Sequence, residues 1–323
     1  MKKPEGATAL VICAFGWSLG GVFLKYVNVN SFAASGLRSF FAFIVIAVLS
    51  KRLPSLVVKN EKNGKTNPQE TAFLWLSALS YAGTMITYVI GNKLTYAANV
   101  IFLEYTSPVW VILLSKLLLG EKNRKIDYIT FAGIIAGMLL FFADSLLETN
   151  KGEVAKNATL GNLFGVMSGI FYAGTTLFQR KQQTLLAQRI RERGDSTVNQ
   201  DTSRDAFMIA QLITSAFGLP FVFLMDKGIP DSQSLIFLIL LGFLQMGIPN
   251  IMYSIGIKKV TALSASLITM IEPLMNPVWV FIFVHEQPTT KSIAGGVIIL
   301  GFILLREFVS KGGFNKLYKR SHN

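Results

Sequence analysis

The 323-residue chain is 51% hydrophobic and only 15% charged, with a mean hydropathy of +0.47, which is too apolar for a soluble domain. Its formal net charge of +13 comes from Lys and Arg placed between apolar runs without aromatic interleaving, which excludes a nucleic-acid surface. Its one cysteine, Cys13, lies inside the first run, so neither an intrachain disulfide nor a cysteine metal site is available.

A helix needs about 20 residues to cross the hydrocarbon core. The first apolar run, 7–24, follows Lys2 and Lys3, but it is longer than a signal-peptide core and no small-x-small site precedes the next polar stretch, so it reads as a span. The runs 32–50, containing Arg38, and 71–92 follow. The run 94–118 contains Glu104 and Lys116, and 128–143 is short but rich in Gly and Leu. The second half repeats the pattern at 159–179, 206–225, 233–257, 260–284 and 292–305. The expected fold is an all-α integral membrane protein of ten transmembrane helices. With an odd number in each half, the second five must sit upside down relative to the first, as in inverted-repeat transporters.

Basic residues set the orientation, because loops rich in Lys and Arg stay on the cytoplasmic side. With the N-terminus inside, 23 of the 31 Lys and Arg fall in inner segments. Six fall outside, at Lys25, Lys93, Lys151, Lys156, Lys227 and Lys291, and Arg38 and Lys116 lie within runs. Both termini are expected in the cytoplasm and the chain in the plasma membrane. The predicted boundaries are a first five-helix repeat over 6–143, an outer linker over 144–158, a second repeat over 159–307 with a cytoplasmic insert at 182–205, and a basic tail over 308–323.

An offset of 165 residues puts Gly91 on Gly256, Lys93 on Lys258, Ala97 on Ala262, Pro108 on Pro273 and Glu121 on Glu286. An offset of 155 puts Gly6 on Gly161, Val11 on Val166, Phe23 on Phe178 and Lys25 on Arg180. Three stretches then resemble a known family. They are Gly16-Trp17-Ser18 through Lys25 with Arg38 following, Pro108 with Gly120-Glu121, and Glu272-Pro273 with Glu286. In their order over residues 6 to about 307, the chain resembles an EamA-type member of the drug/metabolite transporter superfamily. That resemblance implies a five-plus-five helix carrier of small solutes, often an exporter of amino acids or related metabolites. The chain departs from the family pattern in its long segment Gln182–Asp205, expected to prolong the sixth helix before turning irregular, and in Glu104.

An ionisable group near mid-membrane costs roughly 2.5 to 3.5 kcal/mol, so it faces a cavity or a partner. Lys116 can reach the interface with its stem, and Arg38 can either do the same or pair with a carboxylate. Glu104 lies too deep for its short side chain to reach bulk water, and helical spacing sets Ser107, Val111 and Ser115 on its face beside Pro108. It either works in a wet cavity or packs as a protonated, hydrogen-bonded group. Glu272, with Thr269 and Asn276 on its face, reads as shared architecture or gating first and substrate contact second. Pro108, Pro273 and Pro277 are candidate gating kinks. Tyr81, Thr84, Tyr88 and Asn92 share one polar face, and Ser168, Tyr172, Thr175 and Gln179 another. Trp17, Trp110, Asn250 and Tyr253 complete a candidate solute site, although any one aromatic is more often a packing or interface residue, and it is the set that points to a site. Gly133 and Gly137, and Gly161, Gly165 and Gly169, recur four apart and permit close helix approach.

The resulting expectation is a secondary transporter, an exporter of a small polar or zwitterionic metabolite such as an amino acid, working by alternating access through a central cavity. No Gly-x-x-x-x-Gly-Lys-Ser/Thr run exists, so energy comes from a proton or ion gradient or from exchange. A carrier of organic cations such as quaternary ammonium compounds is the alternative, since carboxylates and aromatic faces both attract them. A receptor or channel ranks below both. An enzyme is not expected, because His285 and His322 have no partner set. No cofactor and no nucleic acid is implied; the partners are the lipid bilayer and the solute, and oligomeric state is left open.

Overall fold

The computed structural model describes residues 6–60, 64–119, 124–147, 157–193, 201–225, 228–256, 268–269 and 271–310. Glu121, Lys258, Ala262, much of the 144–158 linker, the start of the 260–284 run, the basic tail beyond residue 310 and the side chain of Lys116 lie outside the described residues.

Among the described residues the chain is helical, its one β contact being an isolated bridge between Lys59 and Thr66. The helices are α1 (Gly6–Ser18), α2 (Gly20–Lys25), α3 (Ser31–Ser50), α4 (Pro68–Leu94), α5 (Ala97–Glu104), α6 (Ser107–Leu119) and α7 (Lys125–Leu147). They continue as α8 (Ala158–Arg193), α9 (Thr202–Gly218), α10 (Pro220–Leu224), α11 (Ser232–Leu240), α12 (Ile248–Gly256), α13 (Ile271–Val284) and α14 (Thr290–Ser310). A π-helical turn, Leu241–Gly247, joins α11 to α12. Among the described residues six segments are long and apolar enough to cross a membrane: Gly6–Lys25, Ser31–Ser50, Pro68–Leu94, Ala97–Ser115, Thr202–Leu224 and Ser232–Gly256. The shorter Ile271–Val284 is also apolar, and the chain is a multi-pass membrane protein.

Local chemistry explains where helices start. Asn30 caps α3 by accepting from the backbone N–H of Phe32 and Ala33, each at 3.0 Å. Asn67 caps α4 just ahead of Pro68, whose missing N–H is harmless in the first turn. Asp201 and Asp231 cap α9 and α11. Helix α8, at 36 residues, is about 54 Å long and overshoots a hydrocarbon core of about 30 Å, so the expected prolongation of the sixth helix is present as far as Arg193.

Prolines explain where spans break. The 94–118 run is two helices, because Pro108 cannot donate to the carbonyl of Glu104 and the chain turns at Tyr105 and Thr106. Pro220 similarly follows the break at Leu219. Pro249 cannot donate to the carbonyl of Gln245, and the wider π turn lies immediately before it. Two expectations change here. The break at Tyr105 resets the helical register, so Glu104, Ser107, Val111 and Ser115 are not one continuous face. Pro273 sits in the first turn of α13, where it is tolerated, leaving Pro277 as the proline inside that helix.

The helices pack in a definite order. Helix α4 lies along α8, and α1 along α12; α5 and α6 pack on α8, and α1 and α2 on α13. Helix α3 packs on α9, and α7 on α14. Gly36 and Gly218 meet backbone to backbone at the α3–α9 crossing, where any Cβ would collide. Gly133 and Gly137 are covered by Phe302 and Ile299 of α14 within the same chain.

Polar contacts gather the helix ends into two groups. At one end Lys25 pairs with Glu286 at 3.1 Å, Lys93 donates to the carbonyl of Val27, and Thr95 Oγ1 donates to Asn162 Oδ1 at 3.2 Å. There too Asn28 N donates to Ser234 Oγ at 2.8 Å. At the other end Arg189 grips Glu70 with two bonds at 2.9 and 3.1 Å, Arg52 pairs with Asp205 at 2.7 Å, and Arg306 with Asp127 at 2.7 Å.

Candidate functional site

The broken helices enclose a small polar cavity of about 40 Å³ in the middle of the bundle. A water needs roughly 10–15 Å³ of such volume, so the chamber has room for about three to four waters. Each wall has a structural reason to be where it is. Trp17 ends α1 beside the break at Leu19, while Glu104 and Tyr105 flank the break made by Pro108. Gln245 and Met246 come from the π turn, and Glu272 from the first turn of α13. Tyr81, Thr84, Met85 and Tyr88 recur along one face of α4, and Tyr172 faces them from α8.

Three ionisable side chains share this cavity. Arg38 has no solvent exposure and sits 5.9 Å from the centroid of the Tyr88 ring. Its terminal nitrogens donate to Gln245 Oε1 at 3.4 Å and to the carbonyl of Met85 at 3.3 Å, while Nε has no partner. Glu104 accepts from Ser168 Oγ of α8 at 2.5 Å. Glu272 accepts from Tyr105 Oη at 3.0 Å. Arg38 is within electrostatic reach of Glu104, and Glu104 of Glu272. An unpaired charge at this depth would cost several kcal/mol; Arg38 offsets the charge of Glu104, whereas Glu104 and Glu272 repel each other when both are ionised.

A second layer fixes the aromatic walls. Trp17 Nε1 donates to Asn250 Oδ1 at 3.3 Å, and its ring packs on Tyr253 at 5.3 Å between centroids. Asn276 Nδ2 donates to Tyr88 Oη at 3.4 Å. The amide oxygen of Asn276 is buried without a partner, a spare acceptor beside the chamber. The offset of 155 puts Trp17 on Tyr172, and that of 165 puts Tyr88 on Tyr253, whereas Tyr81 falls on Met246.

Among the residues expected from sequence, Trp17, Tyr81, Tyr88, Glu104, Tyr172 and Glu272 line the cavity, and Asn250, Tyr253 and Asn276 support it. Ser107 and Trp110 do not reach it. The turn at Tyr105 rotates α6 away, and Trp110 packs against an apolar cluster that includes Val109 and Ile134. Pro273 and Pro277 instead line a furrow of about 550 Å³ between α13 and α14, walled by Phe102, Leu274, Phe281 and Leu300. That furrow is larger, but its walls are apolar and partly exposed, as a lipid-facing surface must be. Sequence reasoning left Arg38 undecided and missed Tyr105 and Gln245. The available signals were a Tyr next to Glu104 at a proline break, and a Gln four residues before Pro249 in an otherwise apolar run. No cluster of His, Cys, Asp and Glu able to hold a metal exists among the described residues.

A helical membrane protein with a buried, charged chamber between broken helices is built like a solute carrier. The profile of the EamA-like transporter family matches residues 4–143 and 194–306, and the chain belongs to that family, within the drug/metabolite transporter superfamily. It is similar to an uncharacterized transporter of Archaeoglobus fulgidus, 25% identical over 300 residues that cover 93% of this chain and 95% of the relative. It is also similar to an uncharacterized transporter in the cobO 3' region of Sinorhizobium sp., 33% identical over 134 residues covering 41% of this chain and 92% of the relative. A solved crystal structure shares the fold with a TM-score of 0.56 at 16% identity, covering 97% of this chain and 98% of that one. The protein is therefore a membrane transporter, and members of its family are transporters rather than enzymes.

Proposed function

We propose that the protein is a secondary carrier for a small zwitterionic metabolite of amino-acid type. In this reading the solute's ammonium group lies toward Glu104 and Glu272 and its carboxylate toward Arg38. The observation that carries it is the presence of both signs of charge in one buried chamber, with tyrosine and tryptophan walls and an unpartnered Arg38 Nε. A chamber of about 40 Å³ is too small for such a solute, so binding must spread the broken helices.

The carrier threads the bilayer ten times as two inverted repeats, 6–143 and 159–307, joined by the outer linker 144–158, with the insert 182–205 and the tail 308–323 in the cytoplasm. The packing order supports this. Exchanging the first five spans for the second five turns the α4–α8 contact into the α12–α1 contact, and maps α3–α9 and α7–α14 onto themselves. The two groups of helix ends also separate Lys25 and Lys93 from Arg52, Arg189 and Arg306, as the positive-inside distribution requires. The protein then resides in the plasma membrane and works as an exporter driven by a proton or ion gradient or by exchange. Glu104 contacts solute and Pro108 and Pro277 flex.

One observation favours a second reading. Two carboxylates face one guanidinium already engaged by Gln245 and Met85, an arrangement that also suits an organic cation among aromatic rings. Counterflow in proteoliposomes separates the two. Labelled neutral amino acids should accumulate against a preloaded unlabelled pool, whereas accumulation of quaternary ammonium compounds alone would replace the first reading by the second.

A further inference from the structure

Above the chamber, α2 and α13 run side by side, and their contacts come in layers. Lowest is Trp279 Nε1, which donates to Ser18 Oγ at 2.9 Å, next to Trp17 on the chamber wall. Then comes a dry cluster of Val22, Ala97 and Val280, with exposures of 3%, 0% and 2%. At the rim lies Lys25, at the far end of α2 and eight residues beyond Trp17.

Lys25 and Glu286 join three elements at that rim. The Lys25 ammonium lies 3.1 Å from Glu286 Oε2 and donates to the carbonyl of Thr95 at 3.0 Å. Glu286, in the loop between α13 and α14, uses its other oxygen to accept from Ala97 N at 3.0 Å, capping the start of α5. The two side chains are 15% and 9% exposed, so the pair is shielded yet close enough to the surface to rehydrate when it separates. The start of α5 leads straight to Glu104 and Tyr105, so any spreading of the break at Tyr105 toward this end must pull Ala97 away from Glu286.

We propose that Lys25 and Glu286 are the latch, and Val22, Ala97 and Val280 the plug, of a gate that closes the chamber on this side of the membrane. The proposal rests on the carrier reading but not on which solute is carried. Breaking the latch lets α2 and α13 part and water reach the plug.

The test places a cysteine in the plug, Val22→Cys in a Cys13→Ser background, and measures its labelling by a membrane-impermeant maleimide added from the Lys25 side. Glu286→Gln should raise the labelling rate about tenfold, the population change given by roughly 1.4 kcal/mol. The charge swap Lys25→Glu with Glu286→Lys should bring it back to within about threefold of the parent, since the pair re-forms without the cap on Ala97. An unchanged rate in Glu286→Gln, a swap that labels as fast as Glu286→Gln, or an equal rise from both sides of the membrane would each overturn the latch. No solute enters this assay. A wrong solute assignment would therefore fail only in uptake experiments, and a failed latch would leave saturable uptake intact.

Discussion

Tyr105 Oη donates to Glu272 Oε2 at 3.0 Å across the centre of the bundle, and it lies 3.3 Å from the carbonyl of Thr269. Tyr105 stands at the break in one helix, and Glu272 opens another. The bond therefore couples the break at Tyr105 to the first turn of α13. Tyr105→Phe should lower solute turnover about threefold to tenfold, consistent with a buried hydrogen bond worth roughly 0.7–1.4 kcal/mol, while apparent affinity changes little. Initial rates over a range of solute concentrations check this.

Glu104→Gln removes a charge but keeps an oxygen that can accept from Ser168. Uptake should fall at least about a hundredfold, since a buried interaction with a cation worth roughly 3 kcal/mol is lost. The variant should insert and elute as the parent does. Parental uptake and affinity in purified Glu104→Gln would remove this residue from the solute site.

Arg38→Met leaves Glu104 and Glu272 facing each other without a guanidinium. Uptake of zwitterions should be abolished, while simple amines lacking a carboxylate should gain relative to them by about tenfold or more. Competition assays with matched amine and amino-acid pairs read the ratio.

Helix positions were largely legible in the sequence, because gaps between charged residues measure spanning capacity. The run 32–50 corresponds to Ser31–Ser50, and 71–92 to Pro68–Leu94. The interior was less legible. Hydropathy gives a residue's depth but not the direction it faces, so Arg38 could be read as reaching the interface when it is fully buried. Periodicity assumes one unbroken helix. The turn at Tyr105 cancels it, which is why Ser107 and Trp110 are absent from the chamber and Tyr105 is present. Gln245 reaches the cavity from a π turn, and that geometry has no simple sequence period.

At the other end of the bundle, Arg189 and Glu70 are 5% and 2% exposed and bonded twice. Arg189→Met should destabilise the protein by about 3 kcal/mol, because it leaves Glu70 buried without its charge partner. Adding Glu70→Gln should recover most of the loss. Thermal unfolding in detergent gives both values, and additive losses in the double variant would contradict the coupling.

The proposed ten-span topology predicts that fluorescent and periplasmic reporters fused to the two ends of the chain both report the cytoplasm. Reporters on opposite faces would require an odd number of crossings and break the inverted pairing.

The most direct measurement is trans-stimulated uptake of a labelled zwitterionic amino acid into proteoliposomes holding the parent, Glu104→Gln or Arg38→Met. Saturable uptake that rises with internal unlabelled solute, and collapses in both variants, is the predicted result. Flux that grows linearly with concentration, or saturable uptake indifferent to both substitutions, would contradict a carrier whose buried charges hold its solute.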